Sequence, residues 1–289
     1  MFLSLDTGLR SGDQAHFQLM TKTITILVTA ILFSATHAVP SQTPPSSVDL
    51  SKFPAKAVSD VVVPVPSEIF VVLDKLGTPN WRAELRKSLG KNTGNRPQVA
   101  LLLGTVIAEG FIAVEAEDSE RVKEIGRELL VLAEAINVRK AVIARCKSVT
   151  EKAKAKEWQS VRSEFDGALQ DVRGAMQELG DDDLAQLVSM GGWIRGTEVL
   201  TSVVQKNYSQ AGAELLHQPQ LINYFTNRLE AIKNTRLGKD ELVVRTAKML
   251  GAIRPLIGKD DGSKIPVENV QRINKMTSEM VAAITSPGA

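Results

Sequence analysis

From Ser67 to the C-terminus, apolar residues return every three or four positions. That is the period of a helix with one buried face, not the alternation of a strand. The stretch Trp158–Leu179 is the clearest case, with Trp158, Val161, Phe165, Leu169, Val172, Met176 and Leu179 on one stripe. The same reading places helices at 119–136, 138–154, 218–233 and 267–284. Gly and Pro divide the rest into helices at 68–76, 79–89, 97–116, 181–206 and 240–257, the last bending at Pro255. About ten helices with short connections and no significant sheet predict an all-α fold, either a multi-helix bundle or stacked helical hairpins.

The segment before Ser67 reads differently. Residues 24–34, ITILVTAILFS, form a short apolar run after Lys22, and Thr36-His37-Ala38 follow as small residues before Pro40. This is the three-part pattern of a secretory signal peptide, with cleavage expected after Ala38 and a periplasmic or extracellular destination. Asp6 and Asp13 offset Arg10, so residues 1–19 make a poor leader, and Met20 is the better start. Residues 39–66 carry six prolines and read as an extended Pro/Ser/Val-rich linker with one strand-like piece at Val61–Val63. The expected organisation is therefore a signal at 1–38, a linker at 39–66 and a helical domain at 67–289.

Composition changes little in this picture. Apolar residues make up 43% and charged residues 24%, which suits a packed domain, while 4% aromatics imply an aliphatic core. The net charge of +2 calls for no nucleic acid, and no specific nucleic-acid motif occurs. One cysteine, Cys146, excludes an internal disulfide and reads as a small buried hydrophobe. Residues 99–114 are the most apolar stretch, but 16 residues fall short of the roughly 20 needed to cross a bilayer, and Glu109 interrupts them. A buried central helix is expected there and no stable transmembrane span after processing.

Two features invite a site. Ala100, Gly104 and Ala108 lie four apart on one helix, and Gly192 and Gly196 lie four apart on another. Glycine inside a helix costs about 1 kcal/mol relative to alanine. Close approach of the two helices is the expected compensation. Beside these stripes stand Glu109, Arg195 and Glu198, with Trp193 nearby. A lone buried charge is expensive, so Glu109 and Arg195 are expected to pair. These four residues are also the candidate binding site, with Arg195 as anchor for an anion and Trp193 as an apolar wall. The second feature is the basic run Arg139, Lys140, Arg145, Lys147, Lys152, Lys154 and Lys156, a solvated face that could meet an anionic surface.

Recognisable catalysis is missing. His217 is the one histidine beyond the signal, and there is no G-x-S-x-G, P-loop, dinucleotide fingerprint or zinc spacing. No catalytic residue, metal or cofactor is expected. Asp181–Asp183 read as a helix start rather than a calcium site. The expected role is interaction or ligand binding by an exported helical protein. The alternative is a hydrolase or lyase of envelope polymers built on paired carboxylates.

Overall fold

The computed structural model describes residues 57–58, 61–62, 79–86, 95–258 and 263–286. All described residues belong to one compact unit, Ser46–Ala289. The expected signal, the Met20 start, the helix at 68–76 and most of the linker lie outside the described residues. Within the linker, β1 (Ala57–Val58) and β2 (Val61–Val62) pair antiparallel, Ala57 with Val62 and Val58 with Val61.

The rest is helical, as expected, except that the helix expected at 79–89 is cut to Trp81–Glu84, where Leu85 turns extended. The helices are α1 (Trp81–Glu84), α2 (Arg96–Glu115), α3 (Ser119–Ala135), α4 (Arg139–Lys154), α5 (Trp158–Glu178), α6 (Asp182–Lys206), α7 (Gln210–Glu214), α8 (Pro219–Ile232), α9 (Glu241–Ile253) and α10 (Val267–Thr285). Pro255 does more than bend α9. It lies in a 3₁₀ turn, Arg254–Leu256, that ends the helix, because proline cannot donate to the α ladder. Asn95 caps α2 by accepting from the Gln98 N–H at 3.0 Å, with Pro97 in the first turn where its missing N–H costs nothing.

Four successive hairpins share one turn. Glu117, Asn137, Lys156 and Gly180 follow α2, α3, α4 and α5, each with a left-handed φ of 50°, 64°, 59° and 73°. In each, the next N–H reaches back over the turn: Asp118 to Ala113, Val138 to Ala133, Glu157 to Lys152 and Asp181 to Met176. This is the Schellman ending, which satisfies two otherwise orphaned carbonyls. The repeated turn folds α2 to α6 into stacked antiparallel hairpins without any repeat in the sequence. Gly180 is at ease there and Asn137 tolerates it, whereas the Glu117 and Lys156 side chains cost about 1–2 kcal/mol each. Lys156→Gly should therefore raise stability by up to about 1 kcal/mol, read as a higher urea midpoint, because the exposed Lys156 side chain has no ion pair among the described residues to lose.

After three intervening helices the chain returns as α6 and lies against α2. Leu101 meets Gly191 and Glu109 meets Arg195, so contacts advance in the same sense along both helices. Every residue of α2 from Gln98 to Val114 is buried. Among the described residues α2 alone is long and apolar enough to cross a membrane, with mean hydropathy 1.7, and 94% of that stretch is enclosed by protein. α3 and α5 cover one side of α2 and α10 packs along α6.

The α2–α6 crossing rests on missing side chains. A Cβ on Gly104 would stand 1.8 Å from the Val188 carbonyl oxygen, and one on Gly191 1.9 Å from that of Leu101. Gly192 is close as well, 3.4 Å from the Gly104 oxygen. Gly196, expected at the crossing, is not there: a Cβ on it would meet nothing within 4 Å. Gly191 is the second close-approach glycine of α6 instead.

α4 is the outer layer, packed on α3 and α5 through Val142, Cys146, Val149 and Ala153. Burial pushes the Cys146 thiol up to about 12, so it stays protonated and serves as a packing group. Glu164 of α5 ties the layer together. It accepts from Lys152 at 2.6 Å, Ser148 at 2.9 Å and Arg145 at 3.1 Å. Burial alone would raise its pKa, but these three donors outweigh burial and hold it below the usual carboxylate range. A depressed folded pKa stabilises above the unfolded value of about 4.3 and loses that contribution as pH falls through the folded one. Glu164→Gln should thus lower the urea midpoint at neutral pH. The gap from wild type should close below about pH 4.

Candidate functional site

The charges expected to meet at the α2–α6 crossing do meet, one turn beyond the glycines. Glu109, Arg195 and Glu198 are only 0%, 2% and 6% exposed. Arg195 Nε donates to Glu109 Oε2 at 2.9 Å, and Nη2 lies 2.8 Å from the same oxygen. Its Nη1 donates to Glu198 Oε2 at 2.7 Å, across one turn of α6. Helical spacing explains the Arg195–Glu198 pair, and the crossing at Gly104 explains the Glu109 contact.

Two carboxylates against one guanidinium leave a net negative charge in the interior, which is unaffordable without another cation. Arg86 supplies it. Arg86 follows α1 in a strap, residues 79–86, laid over the crossing. Its Nη2 donates to Glu198 Oε1 at 2.5 Å and its main-chain N–H to Glu109 Oε1 at 2.6 Å. Two residues earlier, the Glu84 carbonyl accepts from Arg195 Nη2 at 2.5 Å. Leu85 between them is extended, with φ −67° and ψ 134°, so the carbonyl before it and the N–H after it point the same way. The buried Glu109–Arg195 pair thus binds the strap's backbone as a neighbouring strand edge would. Trp81, buried at the head of the strap, and the Glu84–Lys206 ion pair hold it further. Asn274 of α10 closes the far side by donating to the Glu198 carbonyl at 2.9 Å and to Thr201 Oγ1 at 3.0 Å.

Trp193 is not part of this cluster. Two positions before Arg195 on α6, it faces the other way, donating from Nε1 to Gln218 Oε1 at 3.2 Å and packing edge-on against Phe225 at 6.1 Å. The apolar wall expected of it is instead part of the α6–α8 packing. Sequence reasoning also missed Arg86, Glu84 and Asn274. The charge imbalance among Glu109, Arg195 and Glu198 was the one available signal, and it called for a cation without saying which.

Other acidic and histidine side chains are engaged in packing. Asp181 starts α6, yet its side chain caps nothing and is held by Arg96 at 2.5 Å and 3.3 Å, while Asp183 pairs with Arg228 at 3.2 Å. His217 Nδ1 lies 2.8 Å from the Ile257 carbonyl oxygen and so donates to it. Among the described residues no three His, Cys, Asp or Glu side chains converge as metal ligands. An open cleft of about 830 Å³ lies between the starts of α2, α6 and α9, lined by Asn95, Arg96, Asp181, Arg236 and Asp240. Asn95 and Arg96 are spent there on Asp240 and Asp181.

The chain matches no family model, no curated protein and no solved structure.

Proposed function

We propose that this chain is exported and acts by interaction, not by catalysis, its central charges serving to clamp its own N-terminal strap. One observation carries the second part. Each nitrogen of Arg195 is used inside the protein, and all four carboxylate oxygens of Glu109 and Glu198 accept from Arg195 or Arg86. A polymer hydrolase on paired carboxylates needs one group protonated, one ionised and a path for the polymer between them. Here two arginines hold both carboxylates and the strap covers them. The ligand that these residues fit is a main chain with an arginine after it, which residues 84–86 provide.

Export rests on the charge, apolar run and small residues of 20–38. Osmotic shock of cells expressing the whole reading frame should release a processed form beginning at Val39; retention in the cytoplasm with the N-terminus intact would overturn export. For the chemistry, the purified chain incubated with isolated envelope polymer should release no soluble fragments. Release by wild type, lost in Glu109→Gln, would replace interaction with the paired-carboxylate hydrolase.

A further inference from the structure

The basic run on α4 is two populations. Arg139 pairs with Glu134 at 3.4 Å, Arg145 with Glu164 and Asp171 at 3.1 Å and 2.8 Å, and Lys152 with Glu164 at 2.6 Å. These hold the hairpins together. Lys140, Lys147 and Lys154 are exposed and have no acidic partner within 4.0 Å among the described residues. They recur every seven residues, so they stand in one row, about 10.5 Å apart along the helix axis.

The neighbouring helix extends the row into a face. Gly126 of α3 sits against the Cys146–Thr150 turn of α4, since a Cβ there would lie 3.8 Å from the Cys146 carbonyl oxygen and 3.9 Å from Thr150 Oγ1, and Glu134 of α3 pairs with Arg139 further along. The antiparallel register then sets Arg127 across from Lys147 and Val131 across from Ile143. Arg127 is exposed and likewise unpaired. Val131 and Ile143 are 57% and 48% exposed, two of the large apolar side chains left outside the core. The face is therefore an apolar pair surrounded by four cations without an acidic partner among the described residues; its acids Glu120, Glu124 and Glu134 pair with Lys123, Arg121 and Arg139, and Glu151 has no basic partner within 4.0 Å among the described residues.

The fold gains nothing from this arrangement. Lys140 stands in the first turn of α4, where the helix dipole disfavours a cation, and Val138 offers no side-chain cap. Charges in a row at that spacing do not support one another, and exposed Val131 and Ile143 bury nothing. The composition also discriminates between partners. Centres of protein interfaces are depleted in lysine and rich in aromatic side chains and arginine, and this face has lysines around two β-branched aliphatics. A soluble polyanion would use the lysines but not the apolar pair. A bilayer uses both, with headgroup phosphates for the ammonium groups and the acyl boundary for the aliphatics.

We propose that the face formed by Arg127, Val131, Lys140, Ile143, Lys147 and Lys154 docks the protein on an anionic phospholipid surface. It is independent of the Arg195 cluster. The test is co-sedimentation of the full chain with vesicles of phosphatidylglycerol in phosphatidylcholine, against phosphatidylcholine alone. The neutral vesicles measure whatever the apolar 24–34 segment contributes, and all variants share it. Wild type should prefer anionic vesicles and lose the preference as salt rises. The triple variant Lys140→Glu, Lys147→Glu and Lys154→Glu should lose at least on the order of 100-fold in anionic partitioning, since each near-surface cation is worth about fivefold and the reversal adds repulsion. Ile143→Asp should weaken anionic binding as well. All the sites are exposed, so melting temperatures should not move, and a lowered one disqualifies that variant in favour of single charge reversals. Equal partitioning of wild type and triple variant, or no anionic preference in wild type, overturns the proposal. So does capture by soluble polyglutamate with no binding to anionic vesicles, which would make the partner an acidic protein.

Discussion

Gly104→Ala should be among the most damaging single-methyl changes in this chain, while Gly196→Ala, one turn beyond Gly192 on the small-residue stripe of α6, should be harmless or better. The added Cβ at 104 would stand 1.8 Å from a backbone oxygen of α6, and no rotamer relieves a contact with backbone. The two central helices would have to part, and with them the Glu109–Arg195 contact one turn on. Overpacking typically costs about 1–3 kcal/mol, and a clash of main chain against Cβ belongs at or above the top of that range. At 196 the Cβ meets nothing, so alanine recovers helix propensity of up to about 1 kcal/mol. Urea unfolding followed by circular dichroism separates the two directly. A Gly104→Ala variant as stable as wild type would mean that the helices do not cross there.

Arg195→Ala should cost about 3–5 kcal/mol, because it leaves Glu109 and Glu198 buried against one remaining cation. For a domain of this size that corresponds to a fall in melting temperature of roughly 6–20 °C. The reciprocal double variant, Glu109→Met with Arg195→Met, removes one charge of each sign and leaves Glu198 with Arg86. It should recover much of the loss, since a buried pair replaced by apolar groups of similar volume is often near neutral. The strap should loosen in both variants, as Glu84 loses its donor and, in the double, Arg86 loses its main-chain acceptor. Faster amide exchange at Trp81–Arg86 would report that loosening.

Much of the helical layout was legible in the sequence because long helices with one buried stripe carry their period openly. Trp158–Glu178 and Val267–Thr285 end within a residue or so of where the pattern places them. α7 went unseen because five residues cannot display a period. The shared hairpin turn was hidden for a different reason: Glu117, Asn137 and Lys156 adopt a conformation that only Gly180 advertises. At the centre, the meeting of Glu109 and Arg195 followed from the expense of burying either alone. The choice of Gly191 over Gly196 depends on the crossing angle, and that is set by packing across the whole interface rather than by spacing along one helix. Arg86 was illegible because the contact spans more than a hundred residues and runs partly through main chain.

Glu109, Arg195 and Glu198, with Arg86, form a self-neutralising clamp and not a vacant anion anchor. A double-mutant cycle between Glu109 and Arg195, read by urea unfolding of the full chain, tests it most directly. Each single change to methionine should be costly, and the double should fall short of their sum by about 2 kcal/mol or more. A coupling energy below about 0.5 kcal/mol, as expected of two residues that do not share a contact, would contradict it.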